Sequence, residues 1–138
     1  MASQSDTQSI EGAYAEPVLR AAGDSALLIA FGDRLDPAIN NAAIAFDARL
    51  RAADITGVSE TAPTIRSVLV RFDPLEIAPE RLRGAVAELL AERDWLAAPP
   101  PARRSLWRIP ACYGGEHGPD LDEIADLVGC SPAQAAER

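Results

Sequence analysis

Two stretches of the chain give the same signals in the same order. Ser25 leads through an apolar run to Phe31 and a proline at 37; Ser67 leads in the same way to Phe72 and a proline at 79. Each run has a strand candidate before it. Val18–Ala22 is turned back by Gly23-Asp24, and Val58–Ile65 precedes Ser67–Phe72, with Pro63 weakening its end. Each run also leads into an amphipathic helix. Asp36-Pro37 supplies an N-cap and first-turn proline, and Ile39, Ala43, Phe46 and Leu50 then share one helix face until about Asp54, before Gly57. Pro79 opens the second helix, with Leu82, Val86, Leu89 and Leu90 inward and Arg81, Arg83 and Glu88 on a solvated face. A strand-strand-helix unit used twice predicts an α+β fold, with two helices covering one face of an antiparallel sheet.

Composition bounds the rest. The 138 residues are 48% hydrophobic but only 5% aromatic, so the core must be mostly aliphatic and alanine. That length suits one domain and the start of a second. Three consecutive prolines in Ala97–Ala102 favour an extended linker. The expected plan is a disordered tail over 1–16, an N-terminal domain over 17–96, a linker over 97–104 and an incomplete second domain over 105–138. Trp95 and Trp107 flank the linker, and burial in a core or at an edge is favoured over a stacking site.

The formal net charge of −8 argues against nucleic acid or an anionic membrane as partner. All 13 basic residues are arginine, which excludes Schiff-base or lysine-dependent phosphate chemistry from this stretch. Cys112 and Cys130 are too few for a disulfide framework or zinc site and read as reduced thiols. No apolar run approaches ~18 residues, and residues 1–16 lack a signal-peptide pattern, so a cytoplasmic location is expected. With His117 the sole histidine, no histidine-based metal cluster and no metal are expected.

Beyond the prolines, Ser105–Cys112 is a strand candidate with Trp107 and Ile109 on one face. The loop that follows holds Tyr113, Gly114, Gly115, Glu116, His117, Gly118, Pro119 and Asp120. Its glycines permit positive φ or close backbone approach. A glycine turn at a helix N-terminus could present N–H groups to an anion, or be an ordinary connection. Asp120 with Glu123 forms an acidic capping box opening a helix on Leu121, Ile124, Ala125 and Val128. Tyr113 anchors the strand end or offers its hydroxyl to a ligand; Glu116 and Asp120 are candidate carboxylates, and His117 reads as an exposed loop residue rather than a general base. Gly129 closes the helix, and Ser131-Pro132-Ala133-Gln134 is a second capping box, with the chain stopping at Arg138, so the second domain reads as interrupted. Its strand would leave an open sheet edge, offering a route to homo-oligomers. In the first domain Arg66, between Thr64 and Ser67, could fork onto a carboxylate or phosphate, or pair across the sheet or with Asp24.

Three motifs carry a family resemblance: Gly23-Asp24-Ser25-Ala26-Leu27-Leu28, Pro63–Pro74, and Tyr113-Gly114-Gly115-Glu116-x-Gly118-Pro119-Asp120-Leu121. Together they resemble the family of KipI and the 5-oxoprolinase B subunit, also called allophanate hydrolase subunit 1, a carboxyltransferase-domain family. The resemblance implies a two-layer β2αβ2α domain followed by a cyclophilin-like β-barrel, of which only the entrance would be present, since its Gly-Phe-x-Pro-Gly-Phe and Thr-Pro-Gly-Gly-Trp signatures do not occur. It implies membership of an ATP-dependent 5-oxoprolinase, working with a C-type chain (KipA, allophanate hydrolase subunit 2) and an A-type lactamase chain. ATP would be used by the complex, with no residue here assigned to it, and the isolated stretch would be inactive. The alternative is a KipI-type regulator that inhibits a sensor histidine kinase. Ligand or partner candidates are Arg66, Tyr113, Gly114, Gly115, Glu116, Gly118 and Asp120.

Overall fold

A computed structural model describes residues 10–103, 105 and 107–137. The chain divides into two compact units, one through Arg103 and one beyond it. The first runs β1 (Ala13–Ala21), β2 (Ala26–Gly32), α1 (Pro37–Ala53), β3 (Val58–Pro63), β4 (Ser67–Phe72) and α2 (Pro79–Leu90). Its four strands form an antiparallel sheet in the order β1-β2-β4-β3, so the fold is α+β with the β2αβ2α order.

Strand alternation sends Leu27, Ile29 and Phe31 of β2 and Val68, Val70 and Phe72 of β4 into one buried layer. Ile39, Ala42, Ala43, Phe46 and Leu50 of α1 meet it, as do Leu82, Val86 and Leu89 of α2. Each large side chain so buried contributes about 1.5–3 kcal/mol. Few aromatics are needed, but those present are central. Phe46 meets Phe31 and Trp95 edge-on, with ring centroids 5.6 and 5.1 Å away. Trp95 is therefore a core residue, and its Nε1 donates to Leu90 O at 3.0 Å.

The start of α1 follows its sequence signal: Asp36 is extended and its Oδ1 accepts from Ala38 N at 2.7 Å. At the other end Asp54 takes a left-handed conformation, φ 47°, which a short polar side chain tolerates. Gly57 follows at φ 88°, where a Cβ would lie 2.6 Å from Ile77 Cγ2. Side-chain bridges then lock the layers. Arg49 donates to both Glu92 oxygens at 2.8 and 2.6 Å, and that hydrogen bond raises the guanidinium pKa above its usual value. Arg51 pairs with the buried Asp47 at 2.9 Å and donates to Thr61 Oγ1 at 2.9 Å, tying α1 to β3.

Several expectations are corrected. β1 begins at Ala13, so residues 13–16 are strand rather than disordered tail. Pro17 and a register shift between Ala13 and Val18 disguise that strand in the sequence. β3 stops at Pro63, two residues early, because Thr64–Ser67 make the turn. Arg83 is not simply solvated, since it donates to Leu19 O at 3.3 Å.

In the second unit a short 3-10 helix (Gly115–His117) precedes α3 (Leu121–Val128) and α4 (Pro132–Glu137). The expected strand over Ser105–Cys112 does not form among the described residues. A strand exists only through hydrogen bonds to a neighbour, and among the described residues none pairs with this segment; Pro110 also lacks a donor. The Ser131 box does form: Ser131 N donates to Gln134 Oε1 at 3.0 Å and Gln134 N to Ser131 Oγ at 3.2 Å. Among the described residues no helix is long and apolar enough to cross a membrane.

The packing generates two predictions. A fragment of residues 10–98 should melt cooperatively in a thermal scan, and one beginning at 17 should melt lower, having lost Ile10 from the core and the Ala13–Gly32 pairing. A broad, non-cooperative transition of the longer fragment would refute its independence. The second concerns Asp47, whose Oδ1 has no hydrogen-bond partner. Removing its countercharge strands a buried carboxylate, so Arg51→Ala should cost about 1–3 kcal/mol, more than the double change with Asp47→Ala. Denaturant melts in which the double variant is the less stable would contradict this.

Candidate functional site

Arg66 sits at the tip of the β3–β4 hairpin rather than inside a strand. Thr64 N donates to Ser67 O at 2.7 Å and the two hydroxyls meet at 2.8 Å, leaving Ile65 and Arg66 as the exposed turn. The hydroxyls that flank Arg66 are thus spent on the turn. Its guanidinium bonds neither a carboxylate across the sheet nor Asp24, but donates to the main-chain oxygen of Asp33. Among the described residues no carboxylate lies within 4.0 Å of it. Phe31 N donates to Arg66 O at 2.9 Å, so the main chain of this residue continues the β2–β4 ladder while its side chain crosses to the loop after β2.

Asn40, in the first turns of α1, completes this corner by donating to Ile65 O at 3.1 Å. Leu35, Asp36, Pro37, Asn40 and Ile65 line a groove of ≈ 320 Å³. Asn40, Asp33 and Leu35 escaped the sequence reading. Asn40 lies beside the apolar helix face, and its amide acquires a role only when the hairpin folds against it. Arg66 keeps unused donors and can take a carboxylate or phosphate in a fork.

The second unit holds the other candidates, Tyr113, Gly114, Gly115, Glu116, Gly118 and Asp120, together in one loop. Gly114 and Gly115 have φ of 87° and 57°. Gly118 is required by contact: a Cβ there would lie 2.6 Å from Gly114 N. The motif is thus explained as a loop that folds onto itself. Tyr113 is 66% exposed, so it does not anchor by burial. Glu116 Oε1 lies 3.4 Å from His117 Nε2, both well exposed.

The capping role expected of Asp120 is not realised. At φ −89°, ψ 0° it lies in a turn, and its side chain makes no cap hydrogen bond. An N-cap needs extended geometry for its oxygen to reach the next turn. Asp120, Asp122 and Glu123 also surround the start of α3 with negative charge, which satisfies the helix dipole and disfavours the anion considered for this loop. Cys112 and Cys130 are free thiols.

The family described as carboxyltransferase domain, subdomain C and D, matches residues 17–138. The chain is 33% identical over 125 residues to the 5-oxoprolinase B subunit of Bacillus subtilis (strain 168), covering 83% of this chain and 51% of that protein. Among solved structures, a conserved uncharacterized protein from Pyrococcus horikoshii is 28% identical with a TM-score of 0.53, over 87% of this chain and 53% of the other. The urea amidolyase of Kluyveromyces lactis is 25% identical with a TM-score of 0.52, over 55% of this chain and 5% of its own length. The chain thus spans about half the length of the first two relatives. It belongs to the carboxyltransferase domain, subdomain C and D, family, among the proteins similar to KipI and the 5-oxoprolinase B subunit.

Proposed function

We propose that the chain serves in the B subunit of an ATP-dependent 5-oxoprolinase, which opens the lactam of pyroglutamate to glutamate in the cytoplasm. The observation that carries this reading is the 33% identity to the 5-oxoprolinase B subunit over most of the chain. Its partners would be a C-type chain, homologous to KipA or allophanate hydrolase subunit 2, and an A-type lactamase chain. ATP is a substrate of that assembly, and no residue here is assigned to it.

Within this reading Arg66 is the residue best equipped to meet an acidic group. Its planar fork suits a carboxylate, and its anchoring on Asp33 O fixes the approach. Tyr113, Glu116 and Asp120, on the loop shaped by Gly114, Gly115 and Gly118, are the contact candidates of the second unit.

The test is to combine the B subunit that carries this chain with its lactamase and KipA-like partners and measure ATP hydrolysis with and without pyroglutamate. Turnover should require all three chains and the lactam. Unchanged pyroglutamate-dependent hydrolysis by the two partner chains alone would overturn the proposal, and stable inhibition of a histidine kinase in its place would favour the KipI-type role.

A further inference from the structure

Asp47 is a costly residue where it stands. It is 5% exposed in the middle of α1, and its Oδ1 has no hydrogen-bond partner among the described residues. A buried polar atom left unsatisfied in a native fold calls for a reason. Its other oxygen pairs with Arg51, one turn on, at 2.9 Å. From there Arg51 reaches across the outer strand of the sheet. It donates from Nε to Thr61 Oγ1 at 2.9 Å and from Nη2 to Thr61 O at 3.4 Å.

The register makes Thr61 the residue that needs cover. Thr64 N donates to Ser67 O, so alternation turns the main-chain groups of Ala62 and Glu60 toward β4 and those of Thr61 and Pro63 away from it. Pro63 has no N–H to offer. Val58 N is spent on Ile55 O at 3.0 Å, and Ser59 lies in the register shift between Val58 and Glu60. Thr61 is thus the position on the regular part of β3 where N–H and C=O both face outward. Beside it runs an open groove of ≈ 370 Å³, lined in part by Leu50, Ile55 and Val58, with room for the side chains of an added strand.

We infer that Asp47 and Arg51 form a strap that keeps β3 from pairing with β3 of a second copy of this chain. An antiparallel edge is complementary to itself about a two-fold axis, so two such edges meeting at Thr61 exchange its N–H and C=O. Arg51 occupies that oxygen and stands in the path of the incoming strand. Asp47 supplies the fixed charge that holds the guanidinium there instead of letting it swing into solvent. The unpartnered Oδ1 is what that placement costs. The strap belongs to the fold and is independent of the 5-oxoprolinase reading.

The experiment measures self-association of the full 138-residue chain by sedimentation equilibrium, with a melting curve for each variant. The Asp47→Ala, Arg51→Ala double variant should associate about tenfold or more tightly than the unchanged chain, since the main-chain bonds at Thr61 become available. Exchange of the Thr61 amide hydrogen should slow as its concentration rises. A second double variant, Asp47→Asn with Arg51→Met, keeps the side-chain bulk without the charges and should behave in the same way, which separates a freed edge from a loosened core. Adding Thr61→Pro to either should return association to that of the unchanged chain, because an outward-facing edge position gives up its donor without touching the bonds to β4. Association equal to the unchanged chain in both double variants overturns the strap. A gain that survives Thr61→Pro overturns it too, since the copies then meet elsewhere.

Discussion

The antiparallel pairing of β2 with β4 is the contact on which the first unit depends. It runs from Ala26↔Arg71 to Ala30↔Ser67 and joins the two strand-strand-helix halves at their inner strands. The register puts Ile29 opposite Val68 and Leu27 opposite Val70, all facing the helices. A slip of one residue would turn those side chains to the other face and empty the core. The corner around Arg66 is a product of the same register, because the ladder's last bond, Phe31 N to Arg66 O, brings the hairpin tip to the loop after β2.

A four-stranded open sheet leaves two edges, and both are blunted. β1 carries Pro17 and an irregular register, and Arg83 of α2 occupies the carbonyl of Leu19. β3 ends in Pro63, and Arg51 of α1 reaches the carbonyl of Thr61 at 3.4 Å. In each case an arginine from the helix layer reaches over to the edge strand, which discourages pairing with a further chain.

Elements with local determinants were legible in the sequence: α1 through Asp36 and its spaced apolar residues, β4 through its uninterrupted run, and the Ser131 box through its two reciprocal groups. β1 was half hidden, because Pro17 reads as a breaker while the strand survives on bonds from only one side. The strand expected at Ser105–Cys112 shows the converse, a good local pattern with no neighbour to realise it. Asp120 failed as a cap for a conformational reason: the preceding proline turn sets its backbone before its side chain can act. In the Arg66 corner the charged residue could be picked out from the hairpin motif. Its partners could not, since Asp33 contributes a carbonyl and Asn40 an amide that no sequence pattern distinguishes.

The placement of β4 beside β2 also sets which contact carries the largest loop-closure cost. β1–β2 and β3–β4 are hairpins whose strands meet after short turns, and α1 carries its own start signal. Ile29 and Val68, by contrast, are separated by roughly 40 residues, so their meeting carries the larger loop-closure entropy. The local pieces can form and dissolve rapidly, so the crossing of the two halves is the step expected to limit the rate. Substitutions in the β2–β4 contact should therefore act on the speed of folding, and those confined to the outer strands mainly on how fast the native state is lost.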